Sequence, residues 1–202
     1  MNDVLLILTG YVLGSMPWGY WLPRIYGVNI RDVGSGSTGA ANVWRTLGFK
    51  VGLGVALLDI FKGLAATLLG IWLGSELVGL FAGIAAMIGH WRPLFIGFGR
   101  GGKIVATTGG VALALVPLAS LAAASVWVLT FLVTRYTSVA SMVSASTLPL
   151  FAFAFGASAP VVAFTAGAAV AIFVLHRANI ARLLSRSENR FELSRRPSKA
   201  GG

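Results

Sequence analysis

The chain contains no cysteine. That excludes a disulfide framework, a thiolate metal centre and a cysteine nucleophile. Acidic residues are also scarce, six in 202 positions, too few for a carboxylate-bridged divalent metal, so no metal and no other cofactor is expected. Histidine occurs only twice, at His90 and His176, so any imidazole chemistry is confined to those two places. Charged residues make up 11% of the chain against 56% hydrophobic, and the mean hydropathy is +0.83. A soluble globular domain does not have that composition; the chain reads as an all-α integral membrane protein. Its net charge of +10, from 16 basic against 6 acidic residues, raises a nucleic-acid reading that only the placement of the charges can decide. The start, Met1-Asn2-Asp3, lacks the basic region of a secretory signal, and the apolar run behind it is too long for one, so it is expected to be a retained first span.

Hydropathy predicts about seven membrane segments, near Val4–Leu22, Val51–Leu73, Leu77–Gly89, Ile104–Leu118, Leu121–Val133, Val139–Phe155 and Val161–Leu175, with no internal repeat. Several are shorter than the roughly 20 residues that cross a bilayer. Arg24, Arg31, Arg45 and Lys50 follow the first segment; Arg92, Arg100 and Lys103 follow the third; Arg135 follows the fifth. Arg177, Arg182, Arg186, Arg190, Arg195, Arg196 and Lys199 follow the last. The connections near 74–76, 117–120 and 156–160 hold no basic residue. The positive-inside rule then puts the N-terminus outside and the C-terminus in the cytoplasm, which accounts for the charge without nucleic acid. Lys62 alone lies within a segment, three residues after Asp59, and the two read as a buried structural pair. The expectation is one domain over residues 1–191, with a disordered basic cytoplasmic tail over 192–202.

Four polar segments fall on the cytoplasmic side: 33–48, 90–108, 135–141 and 176–190. In the first, glycines permit close approach of backbone N–H groups to an anion. Ser35, Ser37, Thr38 and Asn42 add donors, and Arg45 adds a planar fork suited to phosphate. Taken alone, that stretch reads sooner as a hydrated connector than as an anion site, since glycine-rich stretches are common and its spacing is no nucleotide-binding signature. The second repeats the recipe, with Gly101 and Gly102 beside Arg100 and Lys103 and Thr107 one turn on. Pro93 and its apolar neighbours Leu94, Phe95, Ile96 and Phe98 read as an interfacial dip lining a lipid entrance. Ser138 and Ser141, three apart, share a helix face, as do His176 and Asn179. Hydroxyls in membrane helices usually bond the preceding turn or a neighbouring helix, so a ligand role for these serines needs a named partner. An imidazole beside an amide is equipped to orient or deprotonate an alcohol. Arginines beyond Arg177 read as a basic helix lying on anionic lipid, among which Glu188 is the one acid before Glu192.

With these segments assembled, "GSGSTGAANVWRTLG", "LLDIFKG", "GHWRPLFIGFGRGGKIVAT", "SVAS" and "HRANIARLLSRSENR" stand in an order and spacing that resemble the bacterial acyl-phosphate-dependent glycerol-3-phosphate acyltransferases, the PlsY family, nearly end to end. The resemblance implies a seven-span inner-membrane enzyme of phospholipid synthesis with its active site at the cytoplasmic face. Its reaction is attack of the 1-hydroxyl of glycerol 3-phosphate on a fatty acyl phosphate, giving lysophosphatidic acid and phosphate. The partners implied are those two substrates and membrane lipids. By position, Ser35, Gly36, Gly39, Asn42, Arg45, Lys103, Ser138 and Ser141 would serve phosphate and acyl-phosphate recognition. His90, His176, Asn179 and Glu188 would surround glycerol 3-phosphate, with His90, His176, Asn179 and Lys103 as the catalytic candidates. Ser37, Gly101, Gly102, Thr107 and Arg177 complete the binding set.

The chain departs from the family pattern in three places. Ser37 stands for the usual Asn and Ala41 for Thr in the first motif, and Ile104 for the glycine after the lysine of the second. A β-branched residue disfavours positive φ, so a different presentation of Lys103 or an earlier helix start is expected there. A small transporter of an anionic substrate is the alternative, yet such sites lie near the membrane midplane between repeated halves. A phosphotransferase using metal-bound nucleotide would need clustered aspartates, which Asp32 and Asp59 do not form.

Overall fold

The computed structural model describes residues 2–191; the tail over 192–202 lies outside the described residues. Among the described residues the fold is entirely helical. In chain order the helices are α1 (Asp3–Gly14), α2 (Trp18–Ile25), α3 (Ala40–Leu47), α4 (Phe49–Leu73), α5 (Glu76–Trp91), α6 (Val105–Leu115), α7 (Pro117–Thr134), α8 (Thr137–Ala154), α9 (Ala159–Leu175) and α10 (Arg177–Leu184). Local chemistry sets several starts. The Asn2 side chain accepts the Val4 N–H at 3.0 Å, Ser75 Oγ accepts that of Val78 at 3.3 Å, and prolines open α7 and α9 where a missing N–H costs nothing.

The first segment is not one helix, contrary to the continuous span expected over Val4–Leu22. Pro17 has no N–H to continue the ladder and pushes Met16 out of helical geometry, so α1 stops at Gly14 and the amphipathic α2 leaves from Pro17. Four helices are long and apolar enough to cross a membrane, those beginning at Phe49, Glu76, Pro117 and Thr137. A fifth results if α9 and α10, bent by 57° at His176, count as one span. By contrast α1 and α6, at 12 and 11 residues, fall short of the roughly 20 needed.

Helix α1 packs along α5 and α4, α4 also contacts α5 and α6, and α8 is held between α7 and α9. Leu80 and Met87 of α5, Val111 of α6, Ala145 of α8, and Phe164, Ala168 and Ile172 of α9 form the main apolar cluster, together with Ile104. Leu57, Phe61, Trp72, Leu129, Val133, Leu150 and Phe153 point outward, as lipid-facing side chains do. Gly10 and Gly14, four apart, lie against the backbone of Ala82 and Ala86 with no room for a Cβ at either. This is small-residue packing, in which dispersion between close backbones substitutes for a hydrophobic driving force that lipid does not supply. Gly14→Val is therefore expected to cost about 1–3 kcal/mol by overpacking. A lowered melting temperature in detergent checks it, with Gly54→Ala, where a Cβ meets open space, as the neutral control.

The helix ends sort into two groups. At one end Ser158 Oγ donates to Glu76 Oε1 at 2.7 Å, beside a cavity of about 280 Å³ lined by residues from the α6–α7 and α8–α9 connections. All basic residues of the inter-helix connections gather at the other, described next.

Candidate active site

The loop entering α3 is shaped by one side chain. Asn42, 2% exposed, accepts the Ser35 N–H at 3.1 Å and directs its amide hydrogens at the carbonyls of Val33 and Ser37, both 3.0 Å, with Ile30 at 3.3 Å. Gly34 and Gly36 take the left-handed backbone this path requires, at φ +62° and +64°. Ser37 Oγ accepts the Gly39 N–H at 3.2 Å. The amide of Asn42 is thus taken up by the loop, whereas Ser35 stays exposed.

Arg45, one turn further, reaches away from its own loop. It donates to Thr137 Oγ1 at 3.2 Å and to the Asn189 carbonyl at 3.3 Å, and lies 4.4 Å over the Phe191 ring. Its buried Nε has no partner among the described residues. Phe191 is anchored between Trp44 and Phe131, at 4.5 and 5.5 Å between ring centroids, and its N–H bonds the Arg135 carbonyl. This aromatic cluster fastens the end of the described chain over the site.

Glu188 is the hub. A turn with Arg186 at φ +57° folds the chain back over α10. There the carboxylate accepts from Ser138 Oγ at 2.9 Å, Asn179 Nδ2 at 2.6 Å and Arg182 Nε at 2.7 Å. Burial opposes its ionisation, but these donors more than offset that and hold Glu188 below the usual carboxylate range. Lys103 Nζ completes the chain of contacts by donating to Asn179 Oδ1. Burial pushes Lys103 down to about 8; Glu188 opposes this, while Arg182, Arg100 and Arg45 add to it.

His176 caps α9 and is 3% exposed. Its Nδ1 sits 2.8 Å from the Ile172 carbonyl. A carbonyl only accepts, so Nδ1 carries the proton and Nε2 keeps a free lone pair. Burial first, then the Lys103 charge, push its pKa down to about 4, against the Ile172 bond and Glu188, so the ring is neutral at pH 7.

The remaining candidates are placed as follows. His90 is buried beside Asp59, its Nδ1 3.4 Å from Asp59 Oδ1. Ser141 donates to the Thr137 carbonyl at 2.7 Å and accepts from Trp127 Nε1 at 3.1 Å, the structural pattern usual for a membrane-helix hydroxyl. Thr107 is fully buried with no partner for its hydroxyl among the described residues. Gly101 and Gly102 are buried against His90. Arg177 is exposed and folds back onto the Val174 carbonyl at 3.2 Å. Arg182 is the arginine that faces Glu188, and sequence reasoning passed it over as a lipid contact. The signal was its spacing of three from Asn179 on α10, which puts the two on one face. Ile104 also departs from expectation. It takes φ +59° and caps α6, which starts directly after it at Val105. Burial of its side chain, 4% exposed within the main cluster, offsets the strain of a β-branched residue in that region.

The four predicted stretches thus meet, through Arg45 with Thr137 and Asn189, Lys103 with Asn179, and Ser138 with Glu188. Comparison with known proteins agrees with this arrangement. A sequence profile described as glycerol-3-phosphate acyltransferase matches residues 4–186. The glycerol-3-phosphate acyltransferase of Roseiflexus sp. (strain RS-1) is 45% identical over 195 residues, covering 94% of this chain and 96% of that one. That of Desulforudis audaxviator (strain MP104C) is 45% identical over 190 residues, covering 93% and 95%. A crystal structure of PlsY, an integral membrane glycerol 3-phosphate acyltransferase, in its glycerol 3-phosphate form superposes with a TM-score of 0.90 at 38% identity, covering 95% of this chain and 96% of that one. Its lysophosphatidic acid form gives 0.88 at 37% identity, with the same coverage. On sequence and on fold, the chain belongs to the glycerol-3-phosphate acyltransferase family.

Proposed function

We propose that the chain transfers a fatty acyl group from acyl phosphate to the 1-hydroxyl of glycerol 3-phosphate, releasing lysophosphatidic acid and phosphate, at the cytoplasmic face of a bacterial inner membrane. One observation carries this reading. Three cations, Arg45, Lys103 and Arg182, surround the single carboxylate of Glu188 beside a neutral His176. The excess positive charge suits a phosphate dianion, and the neutral imidazole suits a hydroxyl. The fit to the glycerol 3-phosphate and lysophosphatidic acid forms of PlsY supports the acceptor and the product. An acyl phosphate is a reactive mixed anhydride, so placement and charge stabilisation are the main demands on the protein, and no metal is needed. Arg45 and Lys103 hold phosphate oxygens; in the Ser35–Gly39 loop the N–H groups of Ser35, Gly36 and Gly39 are bonded within the loop, which leaves those of Ser37 and Thr38. His176 Nε2 accepts a hydrogen bond from the 1-hydroxyl and aligns it. Its pKa near 4 makes it a poor base, so the hydroxyl proton goes to the departing phosphate, which leaves as hydrogen phosphate when the acyl C–O bond breaks.

The same reading includes seven spans, α1 and α4 to α9, with the N-terminus outside. The two short helices, α1 and α6, are served by packing along α5 and α4 respectively. Arg24 to Lys50, Arg92 to Lys103 and Arg135 share the end that carries Glu188, which the positive-inside rule assigns to the cytoplasm.

Purified protein in detergent, supplied with acyl phosphate and labelled glycerol 3-phosphate without metal, should form labelled lysophosphatidic acid. Replacing acyl phosphate by acyl-CoA or acyl carrier protein should abolish product; turnover with those donors alone would overturn the donor assignment. His176→Ala is expected to lower kcat by about 100-fold, the size of a lost alignment, with the shape of the pH profile below pH 7 kept, because the ring does not titrate there and the acid limb belongs to the substrate phosphates. Loss of that limb in the variant would contradict the neutral role. Arg182→Ala should lower kcat/KM by about tenfold, the scale of one charge-assisted hydrogen bond, whereas Arg177→Ala should leave it unchanged. The reverse ranking would show that the assignment of arginines on α10 is wrong.

A further inference from the structure

Asp59, Lys62 and His90 lie inside the helix bundle, each under a tenth exposed, and nothing in the proposed chemistry uses them. Lys62 Nζ is 2.8 Å from Asp59 Oδ1 and donates at 3.0 Å to the Met16 carbonyl, in the break between α1 and α2. His90 Nδ1 lies 3.4 Å from the same carboxylate oxygen. The three side chains thus join α4, α5 and the α1–α2 break at one point.

The opposite side of His90 faces the phosphate-site loop. Its carbonyl accepts the Gly102 N–H at 3.2 Å, and the Trp91 carbonyl accepts that of Gly101 at 3.0 Å. A Cβ on Gly102 would fall on the His90 imidazole, and one on Gly101 on its carbonyl. Neither glycine has positive φ, so what they provide is close approach. The ring is therefore enclosed between a carboxylate and a glycine backbone, and Lys103 is the next residue along.

We infer that Asp59, Lys62 and His90 form a buried positioning unit, in which the fixed imidazole sets the Gly101–Gly102 backbone and thereby the place of Lys103. His90 is a positioning residue in this arrangement and does not touch substrate. A charge pair inside a membrane protein holds its geometry because separating the partners leaves an unpaired charge in a medium that solvates it poorly. Such a pair makes a stiff mount for the Gly101–Gly102 backbone.

The kinetic part of the test rests on the proposed function; the backbone part does not. Hydrogen exchange of the 99–104 segment and steady-state kinetics are measured on the intact protein in detergent for His90→Ala and for Asp59→Asn/Lys62→Met, which removes both charges together. Exchange in 99–104 should rise about tenfold as local opening becomes easier, with α8 unchanged. KM for glycerol 3-phosphate should rise about tenfold with kcat within threefold, since a displaced Lys103 weakens binding of ground and transition states alike. Should these variants not fold, Gly102→Ala, which pushes a methyl group onto the ring, must show the same rise. Unaltered exchange in the segment, or a kcat loss without a KM change, would overturn the positioning unit. A wild-type protein without acyltransferase activity would sink the functional reading and leave the exchange result to decide this one.

Discussion

Glu188→Gln is expected to lower kcat/KM for glycerol 3-phosphate by about 100-fold. The amide keeps one acceptor but turns a donor toward Arg182, so the 2.7 Å bond is replaced by two facing N–H groups, and the bonds from Ser138 and Asn179 lose their charge assistance. Hydrogen bonds to charged groups contribute about 1.5–3 kcal/mol, and about 1.4 kcal/mol is a factor of ten, so the loss of roughly two such bonds sets the scale. Function suffers more than folding because the carboxylate joins Ser138 of α8 to Asn179 and Arg182 of α10 at the site, while other bonds, from Arg190 to the Thr134 carbonyl and from the Phe191 N–H to that of Arg135, still hold the chain end in place. The sign with pH follows from its depressed ionisation. Its contribution is complete at neutral pH and disappears as pH falls through the folded-state value, below the ordinary carboxylate range. Activity within threefold of wild type, with melting unchanged, would remove Glu188 from its central place.

Lys103 gives the second large effect. Lys103→Ala should raise KM for glycerol 3-phosphate and reduce kcat/KM by about 100-fold, since a buried cation facing a dianion contributes more than an exposed one. The intact enzyme should lose kcat/KM as pH rises through about 8, where the free lysine gives up its proton. Burial first, with Glu188 opposing it and Arg182, Arg100 and Arg45 adding to it, fixes that position, and a bound dianion raises it. The alkaline limb of kcat should therefore lie above that of kcat/KM. Lys103→Arg should remove the limb, because a guanidinium does not deprotonate in this range, while keeping part of the binding. A kcat/KM that stays flat to pH 9.5 would show that another group meets the phosphate.

Much of the site is legible in the residues. Asp59 and Lys62 pair as their spacing of three requires, at 2.8 Å. Lys103, Asn179, Glu188 and Ser138 form one hydrogen-bonded chain, and Arg45 lies beside it on Thr137 and the Asn189 carbonyl, the neighbours of Ser138 and Glu188, so that four separate stretches meet. Ser138 and Ser141 show the limit of such reading. The two share a face by periodicity, yet one bonds Glu188 and the other is taken up by Thr137 and Trp127, because a turn of helix carries one hydroxyl to the site and the next to α7. Arg177 and Arg182, five residues apart on α10, are about 140° apart around its axis and so meet different neighbours. Apolar residues run on past Pro17 into α2, so hydropathy does not show the break that the proline makes.

Ile104 shows the same limit more sharply. Local sterics argue against φ +59° for isoleucine, and they lose to a cluster drawn from α5, α6, α8 and α9 that buries its side chain. By itself the sequence determined the membrane character, the helical class, the sorting of positive charge to one end and the family, because each of these is a sum over short stretches or an ordered set of motifs. The tertiary structure alone decided the left-handed cap before α6, the choice of Arg182 over Arg177 and the enclosure of His90. Those depend on how each helix is rotated against its neighbours, and packing between segments far apart in the chain sets that rotation.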